Sequence, residues 1–355
     1  MKKKKQEKEL VGVKEIARRA NVSIATVDRV LHNRVGVSPK TKAKIDAIIE
    51  ELNYKPNILA RRLASKEILR FAVLIPSVSE ETDYWDAPLE GIKQAESEIA
   101  TYGIEIDKYF FDQNDKKSFL NESKKILDKR YHGILLAPMF IEESIDFVKE
   151  CLKVKIPCVF INSDLPDISS LCYIGPNLYH AGALAAHLCG YLIGRKEKIL
   201  IVNISKEIDN HHHLLRKEQG FKEYFDNHQK MNDILKLDIR DTSYKAVSKE
   251  LKKTFAANKI DLVFVTNSRV SSVAKFFEEQ KVENTKLIGF DFLKENIEYL
   301  KKETIDFLIC QKPIEQGYRG IMALYQHFVY NADVEKIYYM PIDIITKENY
   351  QFYRN

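Results

Sequence analysis

From residue 70 onward, strand-length apolar runs alternate with helix-length amphipathic stretches, and few folds accommodate that alternation. The runs at 70–75, 104–110, 133–137, 158–161, 170–174, 198–203, 233–238, 262–266, 286–290, 305–311 and 342–346 read as strands. The stretches at 88–101, 115–130, 142–153, 179–192, 214–228, 244–257, 270–280 and 313–330 read as helices. Repeated β-then-α units wind right-handed into parallel sheets, and two doubly wound lobes account for the length. In such sheets ligands sit beyond the carboxyl ends of the strands, so binding residues are sought in the loops that follow strands.

No apolar run approaches the roughly 18 to 20 residues that span a bilayer. Residues 1–10 carry lysines but lead into no apolar stretch of about 7 to 15 residues, so secretion is not expected and a cytoplasmic location is. Five scattered cysteines (Cys151, Cys158, Cys172, Cys189, Cys310) lack any Cys-x-x-Cys spacing and read as small buried apolar residues. The net charge of +5 hides an asymmetry: residues 1–70 hold 18 Lys+Arg against 8 Asp+Glu, and the remainder 38 against 43. A basic segment on a mildly acidic body is expected where one module meets a polyanion, because Lys and Arg gain affinity there by releasing condensed counterions.

The basic segment has its own pattern. Val13, Ile16, Ala17 and Ala20 follow helical spacing, and Asn21-Val22-Ser23 interrupts it. Ser23 can cap a second helix that turns Val27, Val30 and Leu31 inward and Ile24, Ala25, Asp28 and Arg29 outward. Ser38-Pro39 starts a third helix with Ile45, Ile48, Ile49 and Leu52 on its buried stripe, and Pro56 stops it. The unit is a helix-turn-helix with a supporting helix. The helix-prone stretch 57–65 spans about two turns, too short to be stable alone in water.

Residues 13–31, Val37-Ser38, Asn53-Tyr54-Lys55-Pro56-Asn57 and Ala60-Arg61-Arg62-Leu63 together closely resemble the DNA-binding region of LacI-family transcriptional regulators over about 55 residues. The resemblance implies a homodimer that places its second helix in the major groove of a near-palindromic operator. It also implies paired hinge helices in the minor groove, with Leu63 wedged into a base step. Ser23, Ile24, Ala25, Thr26, Arg29 and Asn33 would then contact DNA from a headpiece at 1–56, Thr26 and Asn33 reaching phosphates, and Asn57, Ala60 and Leu63 would do so from a hinge at 57–68. Asp28 stands where many members carry Ser; a carboxylate is repelled by phosphates but can accept from cytosine N4.

Residues 70–345 resemble the effector domain of the same regulators and the type I sugar-binding periplasmic proteins. The resemblance implies a ligand-binding and dimerisation domain at 69–355, with one lobe at 69–175 and 306–338 and the other at 176–305 and 339–355. Its ligand contacts would be Tyr84, Trp85, Asn162, Asp164, Asn177, Arg216, Asn267, Asp291 and Gln311, with Asp112 and Gln113 as further candidates. Trp85 suits a pyranose face or, equally, lobe packing. Arg216, before Gln219-Gly220-Phe221, is similar to the arginine of the family's Arg-x-x-Gly-Phe, whose guanidinium can fork onto hydroxyls or a carboxylate. Asn162-Ser163-Asp164 and Gly175-Pro176-Asn177 depart from the Asp-Arg and Asp-Asn of many sugar-binding relatives, which leaves the ligand's identity open.

The chain contains no Gly-x-Gly-x-x-Gly, Gly-x-x-x-x-Gly-Lys, Gly-x-Ser-x-Gly or His-Glu-x-x-His, so neither catalysis nor a cofactor is expected. His211-His212-His213 reads as a solvated face and not as a metal site. The residues up to 355 carry no leucine heptads, so tetramerisation through a terminal coiled coil is not expected. The whole reads as a ligand-responsive transcriptional regulator, most simply a repressor answering to a sugar or sugar derivative. A solute-binding protein of a sugar transporter and a sugar-metabolising enzyme are the alternatives. Intact protein in the periplasm would favour the first, and turnover of a bound sugar the second.

Overall fold

The computed structural model describes residues 12–31, 34–54, 67–79, 82–165, 167–194 and 196–355. Two compact units divide between Arg61 and Arg62. Asn33, Asn57, Ala60, Leu63 and nearly all of the expected hinge helix lie outside the described residues.

In the smaller unit three helices, α1 (Val13–Ala20), α2 (Ile24–Leu31) and α3 (Pro39–Glu51), enclose one small core. Asn21, left-handed at φ 55°, ends α1 by returning its N–H to the Ala17 and Arg18 carbonyls. Two residues on, Ser23 Oγ accepts from Thr26 N at 3.1 Å, so α2 starts as its sequence requires. Ser38 does the same for α3, accepting from Thr41 N at 3.2 Å ahead of Pro39. Ile16, Ala17, Ala20, Val27, Val30, Ile45 and Ile48 fill the core.

The larger unit has two lobes, each built on a six-stranded sheet. The first sheet contains β1 (Leu69–Pro76), β2 (Ile104–Phe111), β3 (Gly133–Leu136), β4 (Cys158–Ile161), β5 (Cys172–Gly175) and β11 (Ile337–Tyr339), in the order 11-5-4-3-1-2 and parallel throughout. The second contains β6 (Ile199–Ile204), β7 (Ile234–Ile239), β8 (Leu262–Val265), β9 (Lys286–Phe290), β10 (Phe307–Cys310) and β12 (Asp343–Ile345), in the order 12-10-9-8-6-7, with β12 antiparallel. The sheets thus repeat one topology, and each reverses its winding direction beside β1 or β6. The lobe boundary expected at 306 is corrected: Phe307–Cys310 pairs with β9 inside the second sheet, so the chain returns to the first lobe only after Cys310. Two elements go beyond the sequence reading, β11 and the charged two-turn helix α11 (Lys294–Lys301).

Each lobe is clamped by a helix pair in backbone contact. In the first lobe α4 (Asp86–Ile99) crosses α12 (Pro313–Tyr330), and in the second α7 (Leu178–Leu192) crosses α8 (His212–Asn227). A Cβ added to Gly91 would lie 1.8 Å from the Ile314 carbonyl oxygen, and one added to Gly317 would lie 2.1 Å from that of Pro88. The second pair is the counterpart: a Cβ added to Gly182 would lie 1.9 Å from the Lys217 carbonyl oxygen, and one added to Gly220 would lie 1.9 Å from that of Tyr179. Helix glycine is ordinarily unfavourable, and here close packing of two backbones offsets it. Gly220→Ala is expected to destabilise the larger unit by about 1–3 kcal/mol. Gly194→Ala, where the added Cβ meets nothing nearer than 3.7 Å, should change the chemical-denaturation midpoint little.

Candidate functional site

The loops at the carboxyl ends of the strands of both lobes converge on one cavity. Its lining comes after β1 (Thr82, Tyr84, Trp85), β2 (Gln113, Asn114), β3 (Met139), β4 (Asn162), β6 (Ser205), β8 (Asn267, Ser268, Arg269), β9 (Asp291) and β10 (Gln311), with Ile204, His211, His213 and Lys217 completing it. The reversal of winding at β1 and β6 opens this crevice, as expected for doubly wound sheets. The lobes touch across it: Thr82 Oγ1 lies 3.2 Å from Ser268 Oγ, and Phe140 bridges to His211.

Six of the nine residues expected to bind ligand line the cavity: Tyr84, Trp85, Asn162, Asn267, Asp291 and Gln311. Tyr84 donates to Asn162 Oδ1 at 2.9 Å, and the ring of Trp85, 2% exposed, meets that of Tyr84 edge-on at 5.1 Å. Asn267 donates to the Ile204 carbonyl at 2.8 Å, tying the loop after β8 to the end of β6. Asp291 adopts a left-handed φ of 74°, and its Oδ1 accepts from Gln311 Nε2 at 3.0 Å. Buried Asn296 fixes this corner by donating to the carbonyls of Asp291, Phe290 and Ser268 at 3.0–3.1 Å. Gln316 joins the loop after β4 to the crossover after β10, donating to the Gln311 carbonyl at 2.7 Å and accepting from Asn162 N at 2.9 Å. Gln311 Oε1 is buried without a hydrogen-bond partner among the described residues, an acceptor open to a ligand donor.

Three expected contacts stand elsewhere. Asn177 caps α7, accepting from His180 N at 3.0 Å. Asp164 is half exposed and pairs with His212 Nδ1 at 3.4 Å. Arg216 points away, donating to Gln219 Oε1 at 2.6 Å and lying over the Tyr179 ring. The reason is helical phase: the buried stripe of α8 runs through Leu214, Lys217, Phe221 and Phe225, and Arg216 is turned about 100° from Lys217 and further from the rest. Counting three residues back from Gly220 reaches Lys217, which therefore holds the motif's basic position. Gln113 is in the lining, whereas Asp112 turns its carboxylate onto Asn114 N at 2.8 Å.

The histidine run also requires correction. His211 is 4% exposed, its Nδ1 lies 3.0 Å from Ser205 Oγ, and its ring stacks on that of His213 at 5.3 Å. His213 Nδ1 is shielded from solvent and lacks a hydrogen-bond partner among the described residues. His212 and His213 are partly buried. No group of three or more His, Cys, Asp or Glu that could hold a metal ion occurs among the described residues.

Burial dominates the electrostatics here. Desolvation pushes the Asp291 carboxyl up to about 6, against the opposing pull of Lys217 and Gln311. It pulls the Lys217 ammonium, 3% exposed, down to about 8, and the His211 imidazole, repelled also by Arg269, down to about 4. A histidine whose folded pKa is depressed favours unfolding once the unfolded chain takes up its proton, so this contribution is lost as pH falls from about 6.5 towards 4. Between pH 7.5 and 5 the protein should lose on the order of 2 kcal/mol more stability than His211→Gln, by denaturant titration at each pH. Asp291 titrates in the opposite sense in both proteins and cancels from the comparison.

On the smaller unit α2 presents Ser23, Ile24, Ala25 and Arg29 to solvent, with Ile24 49% exposed, while Val27 and Val30 face the core. Thr26 is half-buried, its Oγ1 2.9 Å from Ser23 Oγ.

Comparison with known proteins places both units. Residues 12–57 match the bacterial regulatory proteins of the lacI family, and residues 71–331 match the periplasmic binding protein domain. Catabolite control protein A of Staphylococcus xylosus is 33% identical over 135 residues, 38% of this chain and 39% of its own length. The same protein of Priestia megaterium is 35% identical over 154 residues, 43% and 44% of the two chains. The matched segment thus spans well under half of these relatives. A Bacteroides fragilis structure assigned as a LacI transcriptional regulator superposes with a TM-score of 0.76 at 27% identity, covering 81% of this chain and all of that one. A glucose-galactose binding protein from Geobacillus stearothermophilus shares the fold, with a TM-score of 0.72 at 24% identity over 80% of this chain and 99% of its own. Over the greater part of its length, residues 71–331, the chain belongs to the family of the periplasmic binding protein domain, and it carries ahead of that domain, at residues 12–57, a helix-turn-helix that matches the lacI family of bacterial regulatory proteins.

Proposed function

We propose that the protein is a dimeric, cytoplasmic transcriptional regulator, most simply a repressor, whose affinity for operator DNA is set by a small sugar-like effector bound between the two lobes. The observation that carries this reading is the union, in one chain, of an exposed reading face on α2 with a polar cleft between lobes. Ile24, Ala25 and Arg29 reach base edges in the major groove, and Ser23 and Thr26 approach phosphates. Asn33, and Asn57, Ala60 and Leu63 from the hinge, complete the contact surface on the resemblance alone.

In the cleft Trp85 supplies a ring against which sugar C–H groups can lie, and Asn162, Asn267, Asp291 and Gln311 supply polar partners for hydroxyls. Ligand that binds one lobe arrangement better than the other shifts the equilibrium between them, and DNA affinity shifts by the same free energy. No helix among the described residues is long and apolar enough to cross a membrane, which suits a partner as polar as DNA. On this reading the cleft binds its ligand without turnover, and incubation of purified protein with its retained ligand should return that ligand unchanged.

Selection of duplexes from a random pool, followed by gel shift, tests the DNA arm. The selected site should be a near-palindrome, and Arg29→Ala should lose discrimination at one base pair of each half-site, about 1–3 kcal/mol. An equal loss for all sequences would reduce Arg29 to a phosphate contact. Leu63→Ser should weaken the selected site far more than random DNA and abolish bending, because a wedge contributes only where the duplex is kinked.

A further inference from the structure

The chain passes from one lobe to the other after β5, after β10 and after β11. Lys312, in the second of these crossovers, is left-handed at φ 55° and ψ 54° and leads straight into Pro313 of α12. A long side chain is uncommon in that region, and such a backbone persists where surrounding contacts over-determine it. Here the contacts of the ammonium come from the second lobe. Lys312 Nζ pairs with Asp343 Oδ2 at 3.2 Å, at the start of β12. It also donates to the Arg354 carbonyl at 2.6 Å and lies 4.4 Å from the centre of the Tyr353 ring. Tyr353 belongs to the core of the second lobe and packs at 4.7 Å on Phe292, the residue after Asp291 of the cleft. On the other side of the crossover, Gly317 of α12 is in backbone contact with α4 of the first lobe. One side chain, 21% exposed, therefore fastens the head of the first lobe's helix pair to β12 and to the segment 350–355.

We propose that Lys312 is a hinge tether: bound to Asp343, Tyr353 and the Arg354 carbonyl, it holds α12 and α4 in the arrangement in which the lobes touch, and so sets how readily the cleft opens without ligand. Opening turns α12 against β12 about residues 311 and 312, which stretches or breaks the three contacts. A cation shared by a carboxylate, a carbonyl and a ring face resists that turn where a residue without a side chain would not. An effector acts only through the difference in its affinity for the two arrangements, so the tether fixes the balance from which it starts. The consequence for DNA rests on the reading of this cleft as the effector site; the consequence for lobe opening does not.

Double electron–electron resonance on the full-length, ligand-free protein tests this, with nitroxide labels at Lys93→Cys on α4 and Glu298→Cys on α11, both exposed and one in each lobe. The native cysteines are buried, so labelling is selective, and mixing with excess unlabelled protein removes pairs between subunits. With the native tether the shorter distance of the touching lobes should predominate. Lys312→Gly tolerates the left-handed backbone but has no tether, and it should move the ratio of shorter to longer distances at least about fivefold towards the longer. Asp343→Asn removes the ion pair alone and should move the ratio about twofold to fivefold the same way. Lys312→Arg keeps the charge and the ring contact and should restore most of the native ratio. The inference is overturned if the longer distance predominates in the native protein, or if Lys312→Gly and Asp343→Asn both keep the native ratio whatever their denaturation midpoints. Affinity for the selected duplex separates the tether from the regulatory reading. Distances that respond to both substitutions while DNA affinity does not would uphold the tether and count against the coupling of lobes to DNA. Normal selection of DNA by a protein whose distances ignore both substitutions would overturn the tether alone.

Discussion

Gly182 and Gly220 let the backbones of α7 and α8 touch, and the geometry of the cleft depends on that contact. The carbonyl of Lys217 abuts the position where any larger residue at 182 would place its Cβ. With α8 held at that distance and rotation, the side chain of Lys217 has one direction available, into the lobe beside Phe290. Arg216, one residue earlier, is turned out to the Tyr179 ring by the same constraint. Gly91 and Gly317 repeat the device in the first lobe and seat α4, whose N-terminal end follows Trp85. A binding site assembled from many loops needs such rigid supports, because side chains on strand-end loops are only as well placed as the elements behind them.

What the supports hold in place is electrostatically unfavourable by itself. Asp291 is raised to about 6 and Lys217 lowered to about 8, so each resists its charged form at neutral pH, and burial is the larger cause in both. Beside them stand the buried imidazole of His211 and the partly buried one of His213. Polar groups left short of partners in a closed cavity give a ligand differential affinity, since binding satisfies what folding leaves unsatisfied. Asn296 and Gln316, which bond only to backbone, hold the loops and crossovers so that this arrangement persists. Linkage then makes the cleft's chemistry relevant to DNA, because only a ligand that prefers one state can move the equilibrium.

Much of this was legible in the sequence, for identifiable reasons. The buried stripes of α1, α2 and α3, the Ser23 and Ser38 caps and the strongly apolar parallel strands are local signals that tertiary packing reinforces. The loops after β8, β9 and β10 could be located once the alternation was read, and Asn267, Asp291 and Gln311 stand there. What escaped had no local signature. β11 is a three-residue edge strand, and α11 buries only Asn296 and Leu300. The crossover after β10 depends on which sheet accepts a strand, and periodicity cannot report that. His211 and His213 look like a solvated run until α8 is seen to begin in the cleft, and Lys217 was missed in favour of Arg216 although the spacing of Leu214, Phe221 and Phe225 already puts residue 217 on the inner stripe.

The central claim is that occupancy of the cleft and occupancy of the DNA face are one coupled equilibrium. The most direct test is a reciprocal pair of titrations on the same preparation: affinity for the selected duplex with and without saturating ligand, and affinity for the ligand with and without that duplex. Linkage predicts that the two affinity ratios agree, at a factor of about 5 to 150 for a coupling of the usual size. Tight ligand binding in the cleft with both ratios equal to one would contradict the account.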